Sequence, residues 1–294
     1  MFNHYIKLTT IALVSIYLTT GCSSHASNNS NPNENSTPPS LKAYKQKALI
    51  IAVQDYAGEN DLIGILKDRD HMKSLFETWG FDTKVLGNSL NFEQKLVDYA
   101  DTLKKDDVFI LYYSGHGSSM RDYNNDENDG KDEFIVLSDS NTNLFYVDDK
   151  IDTLLSKIEA KKLLIFDSCN SGTVHKDTLL AKNIDKKVIK YLAVPENYTP
   201  DTTITKKFLR KNTQTGPLVF FAACQDYEQS IASSSGSLFT NSFLKEVGLD
   251  KPISQVLTDT TLDLNRSNVM FHPNLTSSDN GLKNSTLRKY LKID

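Results

Sequence analysis

Apolar residues along the chain fall into two rhythms, short continuous runs and stripes at helical spacing. Ala48-Leu49-Ile50-Ile51-Ala52-Val53, Val108 to Tyr113, Leu163 to Phe166 and Leu218 to Ala223 are continuous runs bounded by charged or turn-forming residues. Such runs predict strands buried on both faces of a parallel sheet. Between them, Ile65, Met72, Leu75, Phe76 and Trp79 share one helix face ended by Gly80. Phe81 to Leu86 predicts a further strand, and Asn91 is expected to cap a helix whose face is Phe92, Leu96, Tyr99, Ala100 and Leu103. Ile151, Leu154, Leu155 and Ile158 mark another helix, for which Asp148 is a candidate N-cap, and helices are expected over Asn241 to Val247 and Ile253 to Leu264. Alternation of strand and helix predicts an α/β fold, a mostly parallel central sheet with helices on both faces. The pattern supports one domain over residues 45–265 and leaves 266–294 as a C-terminal extension.

The first 44 residues follow neither rhythm. Lys7, the apolar Leu8 to Leu18 and Thr19-Thr20-Gly21-Cys22 resemble a bacterial lipoprotein signal, cut before Cys22 and acylated there. The apolar core is too short to span a membrane as a helix. Ser23 after the cysteine favours the outer membrane where the cell has one. Residues 23–44, rich in Ser, Asn and Pro, cannot bury enough surface to offset their ordering entropy and read as a tether.

Composition narrows the function. With 39% hydrophobic residues in a chain of 294, a large core is available without disulfide staples. Lys+Arg 33 against Asp+Glu 37 gives a net charge of -4, which offers no broad attraction to nucleic acid. The three cysteines imply no pairing framework: Cys22 belongs to the signal, Cys224 reads as a buried core thiol and Cys169 follows a strand. His71 and His175 read as surface residues.

Chemistry gathers where two of the runs stop. One ends in Ser114-Gly115-His116-Gly117 and the other in Asp167-Ser168-Cys169-Asn170-Ser171-Gly172. In open α/β sheets ligands bind at the carboxyl ends of strands. If the two strands are parallel neighbours, His116 and Cys169 emerge at one edge. A cysteine is only a few per cent thiolate near neutral pH, so a catalytic thiol needs a base beside it.

Tyr112-Tyr113-Ser114-Gly115-His116-Gly117 followed by Asp167-Ser168-Cys169-Asn170-Ser171-Gly172 resembles the His and Cys blocks of metacaspases, within the caspase-like cysteine endopeptidases. The separation of the two blocks agrees with a caspase His about 50 residues upstream of its Cys, whereas the Gln-Ala of true caspases is missing. The resemblance implies a caspase-like fold in which Cys169 attacks the scissile carbonyl and His116 moves the proton. Backbone N–H groups of Cys169 and Gly117 would hold the oxyanion. It also implies a first substrate pocket of Asp68, Ser114 and Asp167. A carboxylate about 4 Å from a cation is worth about 4 kcal/mol at an effective dielectric of 20, so these acids favour a polypeptide substrate with Arg or Lys before the cut.

No cofactor is required for that chemistry. Calcium enters as an activator that the resemblance implies, held by Asp132, Asp148 and Asp149; the acid expected after the nucleophile is Lys176, beside Asp177. The acidic stretch Arg121 to Glu133 does not fit an EF-hand and otherwise reads as a solvated loop. The lysine-rich segment 173–216 is expected to be a linker, and in the family such a linker can be cut by the enzyme itself after basic residues. The alternative reading is a catalytically silent caspase-fold surface module that binds or scaffolds.

Overall fold

A computed structural model of the protein describes residues 44–122, 130–169, 187–199, 215–225, 228–267 and 271–294. The signal, the tether up to residue 43, the centre of the acidic loop and most of the 173–216 linker lie outside the described residues, as do Cys22, His175, Lys176 and Asp177.

In chain order the elements are β1 (Gln46–Ala52), α1 (Ile65–Thr78), β2 (Asp82–Val85), α2 (Phe92–Thr102), β3 (Val108–Ser114), β4 (Gly117–Arg121), β5 (Lys131–Ser138) and β6 (Asn143–Val147). There follow α3 (Asp148–Leu155), β7 (Lys161–Asp167), β8 (Val188–Ile189), β9 (Leu218–Ala222), β10 (Ile231–Ser233), β11 (Gly236–Ser237), α4 (Leu238–Glu246), α5 (Ile253–Arg266), β12 (Asn274–Ser277) and α6 (Leu287–Leu291). Among the described residues, six strands form the main sheet in the order β12-β9-β7-β3-β1-β2, and two smaller three-stranded sheets, β4-β5-β6 and β11-β10-β8, accompany it.

The continuous apolar runs are explained by burial on both faces. Leu49 and Ile51 of β1, with Phe109, Leu111 and Tyr113 of β3, meet Phe92, Leu96, Ile151 and Leu154 from α2 and α3 in one core. Ala48, Ile50, Val108, Ile110 and Tyr112 point the other way, into a core with Met72, Phe76, Phe243, Val256 and Leu291. Pairing of β1 with β3 and of β3 with β7 is parallel, in a register that sets Ser114 opposite Asp167. Both strands therefore end level, two residues before His116 and Cys169.

Three expectations change. Residues 271–294 are no appendage: β12 pairs antiparallel with β9 at the sheet edge, and Leu287, Tyr290 and Leu291 of α6 are buried. Only Leu275 of β12 is buried, too short a pattern to read as a strand. Asn91 makes no side-chain cap; its backbone is already near-helical (φ -83°, ψ 10°), and Asn88 instead accepts from the Leu90 amide at 2.9 Å. Asp148 is the first residue of α3 rather than its cap, with extended Val147 in that position.

Candidate active site

The ends of β3 and β7 bring the two blocks together through the backbone. Gly117 lies so close to Cys169 that a Cβ on it would sit 1.7 Å from the Cys169 carbonyl oxygen, so no other residue fits here. His116 is locked from several sides. Its amide donates to the Tyr56 hydroxyl at 2.8 Å, the Tyr113 hydroxyl donates to its carbonyl at 2.6 Å, and the Tyr56 ring stands 4.6 Å from the imidazole. Ring atom Nε2 lies 2.8 Å from the Asn60 carbonyl oxygen. A carbonyl can only accept, so Nε2 carries the proton and Nδ1 keeps its lone pair. Among the described residues Nδ1 has no hydrogen-bond partner, although it is buried. It is the atom of the imidazole able to accept a proton.

Burial also sets the charge of the imidazole. Desolvation pulls its pKa from 6.5 to about 4; the Asn60 carbonyl opposes this and the nearby Lys190 ammonium adds to it. Burial likewise holds the Cys169 thiol well above its usual range, the neighbouring Cys224 thiol adds to that, and Lys190 works in the opposite direction. The thiol is directed at the Ser230 carbonyl oxygen, 3.1 Å away. In this state both groups are neutral. Cys224 is buried in the hydrophobic core, and its sulfur also comes within 3.4 Å of the carbonyl of Ser168.

Asp68, Ser114 and Asp167 come together in one buried cluster, and Lys190 occupies it. Asp68, Ser114 and Asp167 are wholly buried, together with the side chain of Lys190. The Lys190 ammonium lies 2.9 Å from Asp167 Oδ1, and donates to Ser114 Oγ at 2.8 Å and Ser237 Oγ at 2.9 Å. Its three protons thus meet three acceptors. Asp68 sits behind this ring, accepting from Ser114 Oγ at 3.0 Å and from the Ser237 amide at 2.8 Å. Ser230 Oγ and the Thr240 amide donate to Asp167. Burial raises the Asp68 carboxyl above the usual carboxylate range; Lys190 pulls it down and Asp167 pushes it up.

Lys190 reaches the pocket from a strand laid across the strand ends. Val188 and Ile189 of β8 pair antiparallel with β10, and the Lys190 amide donates to the Ser230 carbonyl at 3.0 Å. The Lys190 carbonyl oxygen accepts from the Gly117 amide at 2.9 Å and from the Cys169 amide at 3.2 Å. Two N–H groups converging on one carbonyl beside a thiol form the arrangement that stabilises a tetrahedral oxyanion. Among the described residues, a cleft of about 550 Å³ lies at the opposite ends of the strands, lined by Lys105, Glu159, Lys161 and Lys292.

Sequence reading missed Lys190, Tyr56, Asn60, Ser230, Ser237 and Thr240. Lys190 had a signal: Val188-Ile189-Lys190-Tyr191-Leu192 is an apolar island around one lysine in a polar linker. The hydroxyl residues had none, because hydrogen bonding to a carboxylate across the fold leaves no local pattern.

The expected metal ligands lie on two elements. Asp132 lies on β5, while Asp148 and Asp149 open α3. Among the described residues no group of three or more His, Cys, Asp and Glu side chains is arranged to hold a metal ion.

Comparison with known proteins agrees with the geometry. The family model described as "Caspase domain" matches residues 45–285. Metacaspase-1 of Lodderomyces elongisporus is 30% identical over 151 residues, covering 44% of this chain and 34% of that protein. Metacaspase-3 of Arabidopsis thaliana is 27% identical over 227 residues, 69% of this chain and 59% of that protein. The matched stretches thus span a third to somewhat over half of those relatives. Among solved structures, protein GSU0716 from Geobacter sulfurreducens superposes with a TM-score of 0.65 at 24% identity, over 82% of this chain and 97% of that one. Caspase-1 from Spodoptera frugiperda gives a TM-score of 0.51 at 14% identity, over 79% of this chain and 86% of that one. At those identities the likeness is one of fold.

Proposed function

This chain belongs to the caspase-domain family, and on that premise we propose that it is a cysteine endopeptidase that cuts polypeptides after Lys or Arg and processes itself at Lys190–Tyr191. One observation carries the reading. Lys190 is held as a substrate residue before a scissile bond would be, its ammonium among Asp167, Ser114 and Ser237 and its carbonyl oxygen between the amides of Gly117 and Cys169. Pairing of β8 with β10 supplies main-chain bonds that any sequence can make, while the acidic pocket selects the side chain.

The chemistry follows from the groups present. His116 Nδ1 takes the proton from the Cys169 thiol, and the thiolate sulfur adds to the carbonyl carbon of Lys190. Charge developing on the carbonyl oxygen is met by the two amides. Collapse breaks the bond to Tyr191, whose nitrogen receives the proton from His116, and leaves a thioester on Cys169. Water, deprotonated by the same imidazole, then releases the Lys190 carboxylate and frees the thiol. Asn60 holds the imidazole in the tautomer this requires.

The lipoprotein-type segment through Cys22 supports export and attachment to a membrane by an acyl chain. Calcium belongs to this reading only as an activator drawn from the resemblance, not as a participant in bond breaking.

Intact-mass measurement of the full chain, wild type beside Cys169→Ala, tests the proposal, with calcium and with a chelator as separate arms. Two fragments parted between Lys190 and Tyr191 are expected in wild type alone. Wild-type protein that stays whole in both arms and leaves Lys- and Arg-terminated fluorogenic peptides uncut would overturn it and favour a silent binding module.

A further inference from the structure

On the far side of the Lys190–Tyr191 bond the chain does not leave the surface. Tyr191 bridges Gly117 in parallel fashion, and the Leu192 amide donates to the Gly117 carbonyl at 3.0 Å. Leu192, Val194 and Tyr198 pack against the core shared with β5 and β6, whereas Ala193, Pro195, Glu196 and Asn197 are exposed. A turn closed by the Tyr198 amide on the Pro195 carbonyl, at 2.9 Å, aims the Tyr198 ring back at the small sheet. That ring meets Phe134 edge-on at 6.0 Å and Phe145 at 5.4 Å, and its hydroxyl donates to the Phe145 carbonyl at 2.8 Å. Phe134 and Phe145 also meet edge to face at 6.5 Å. These contacts make a slot that receives one aromatic ring and one hydroxyl.

We propose that the sheet β4-β5-β6 carries a second recognition site for polypeptide substrates, on the leaving-group side of the cut. Its slot between Phe134 and Phe145 takes a tyrosine eight positions past the basic residue. The inference rests on the peptidase reading and deepens it: substrates are selected at two places, by a lysine or arginine in the acidic pocket and by an aromatic anchor well beyond the bond. The site suits an extended polypeptide with apolar residues at the second and fourth positions past the cut, as Leu192 and Val194 stand here. A peptide ending shortly after the scissile bond cannot use it. Aromatic burial with a satisfied hydroxyl gives such an anchor both affinity and position.

The test compares two synthetic peptides with the sequence of residues 186–203, one unaltered and one carrying Tyr198→Ala, on a single enzyme. That enzyme is the full chain with its own Tyr198→Ala substitution, which leaves the slot open. The unaltered peptide should be cut with kcat/KM about tenfold or more higher, the difference lying mainly in KM, and a Tyr198→Phe peptide should fall between. Equal kcat/KM for the Tyr and Ala peptides would overturn the slot. A short fluorogenic peptide ending in Lys reports separately on the peptidase reading. If neither it nor the long peptides are cut, that reading has failed, and the slot is judged by hydrogen exchange at the Leu192 amide in Cys169→Ala protein. There Tyr198→Ala should speed exchange about tenfold or more; unchanged exchange would overturn the site.

Discussion

Removing the charge of Lys190 while keeping its stem is the sharpest probe of the acidic pocket. In the Lys190→Met variant, made in a Cys169→Ala background so that no chain is cut, Asp167 and Asp68 remain buried with no cation between them. The lost contact is a pair at 2.9 Å with both side chains fully buried. At an effective dielectric of 20 its Coulomb energy is about 6 kcal/mol. Stranding the partner of a buried pair commonly costs about 3–5 kcal/mol, because desolvation of the remaining charge is no longer offset. Urea unfolding at pH 7 should therefore show a loss of about 3–5 kcal/mol. One relief is open to the protein: the 187–192 segment can lift away and let water reach the carboxylates. The stability loss is then smaller, but the Leu192 amide, bonded to Gly117 at 3.0 Å, loses its protection from hydrogen exchange. A double-mutant cycle with Asp167→Asn isolates the pair and should return a coupling of about 2 kcal/mol or more. Unchanged stability, unchanged exchange and a coupling below about 0.5 kcal/mol would together refute the claim that the pocket is organised around this ammonium.

Other outcomes follow from the same geometry. Between pH 6.5 and about 4 the unfolded chain protonates an imidazole that the folded chain keeps neutral at His116. Stability is thus full above the unfolded value and falls with pH through that window, by about 3 kcal/mol in all; His116→Gln should flatten the slope of unfolding free energy against pH, and parallel slopes would sink the assignment. Gly117→Ala, whose Cβ would meet the Cys169 carbonyl oxygen at 1.7 Å, should slow cleavage at Lys190 about 100-fold or more, read by intact mass over time. For peptide substrates, Lys or Arg before the cut should be required, and Asp167→Asn should lower kcat/KM for them about 100-fold. A preference for Asp before the cut would contradict the pocket chemistry.

Much of this was legible in the chain because parallel strands buried on both faces write themselves as unbroken apolar runs. The runs through Tyr113 and Phe166 located the strand ends, and with them His116 and Cys169. Asp68, Ser114 and Asp167 followed from family resemblance, but the Lys190 ammonium that Asp167 and Ser114 contact did not. What could not be read depends on contacts between distant segments. Asn60 fixes the His116 tautomer through a backbone carbonyl, which no side chain advertises, and Ser230, Ser237 and Thr240 are ordinary hydroxyl residues until the fold turns them toward Asp68 and Asp167. The edge strand β12, with one buried residue, carries too little periodicity to be seen.

The order of the main sheet has a bearing on what a severed molecule would be. A break after Lys190 assigns β1, β2, β3 and β7 to one polypeptide and β9 and β12 to the other, while β9 stays hydrogen-bonded along β7 and β8 along β10. The two pieces would share one interior, each lacking the partner needed to close it. They should migrate as a single species in gel filtration and part only in denaturant, so a severed form would be a tightly interleaved heterodimer rather than a shortened protein with a discarded peptide.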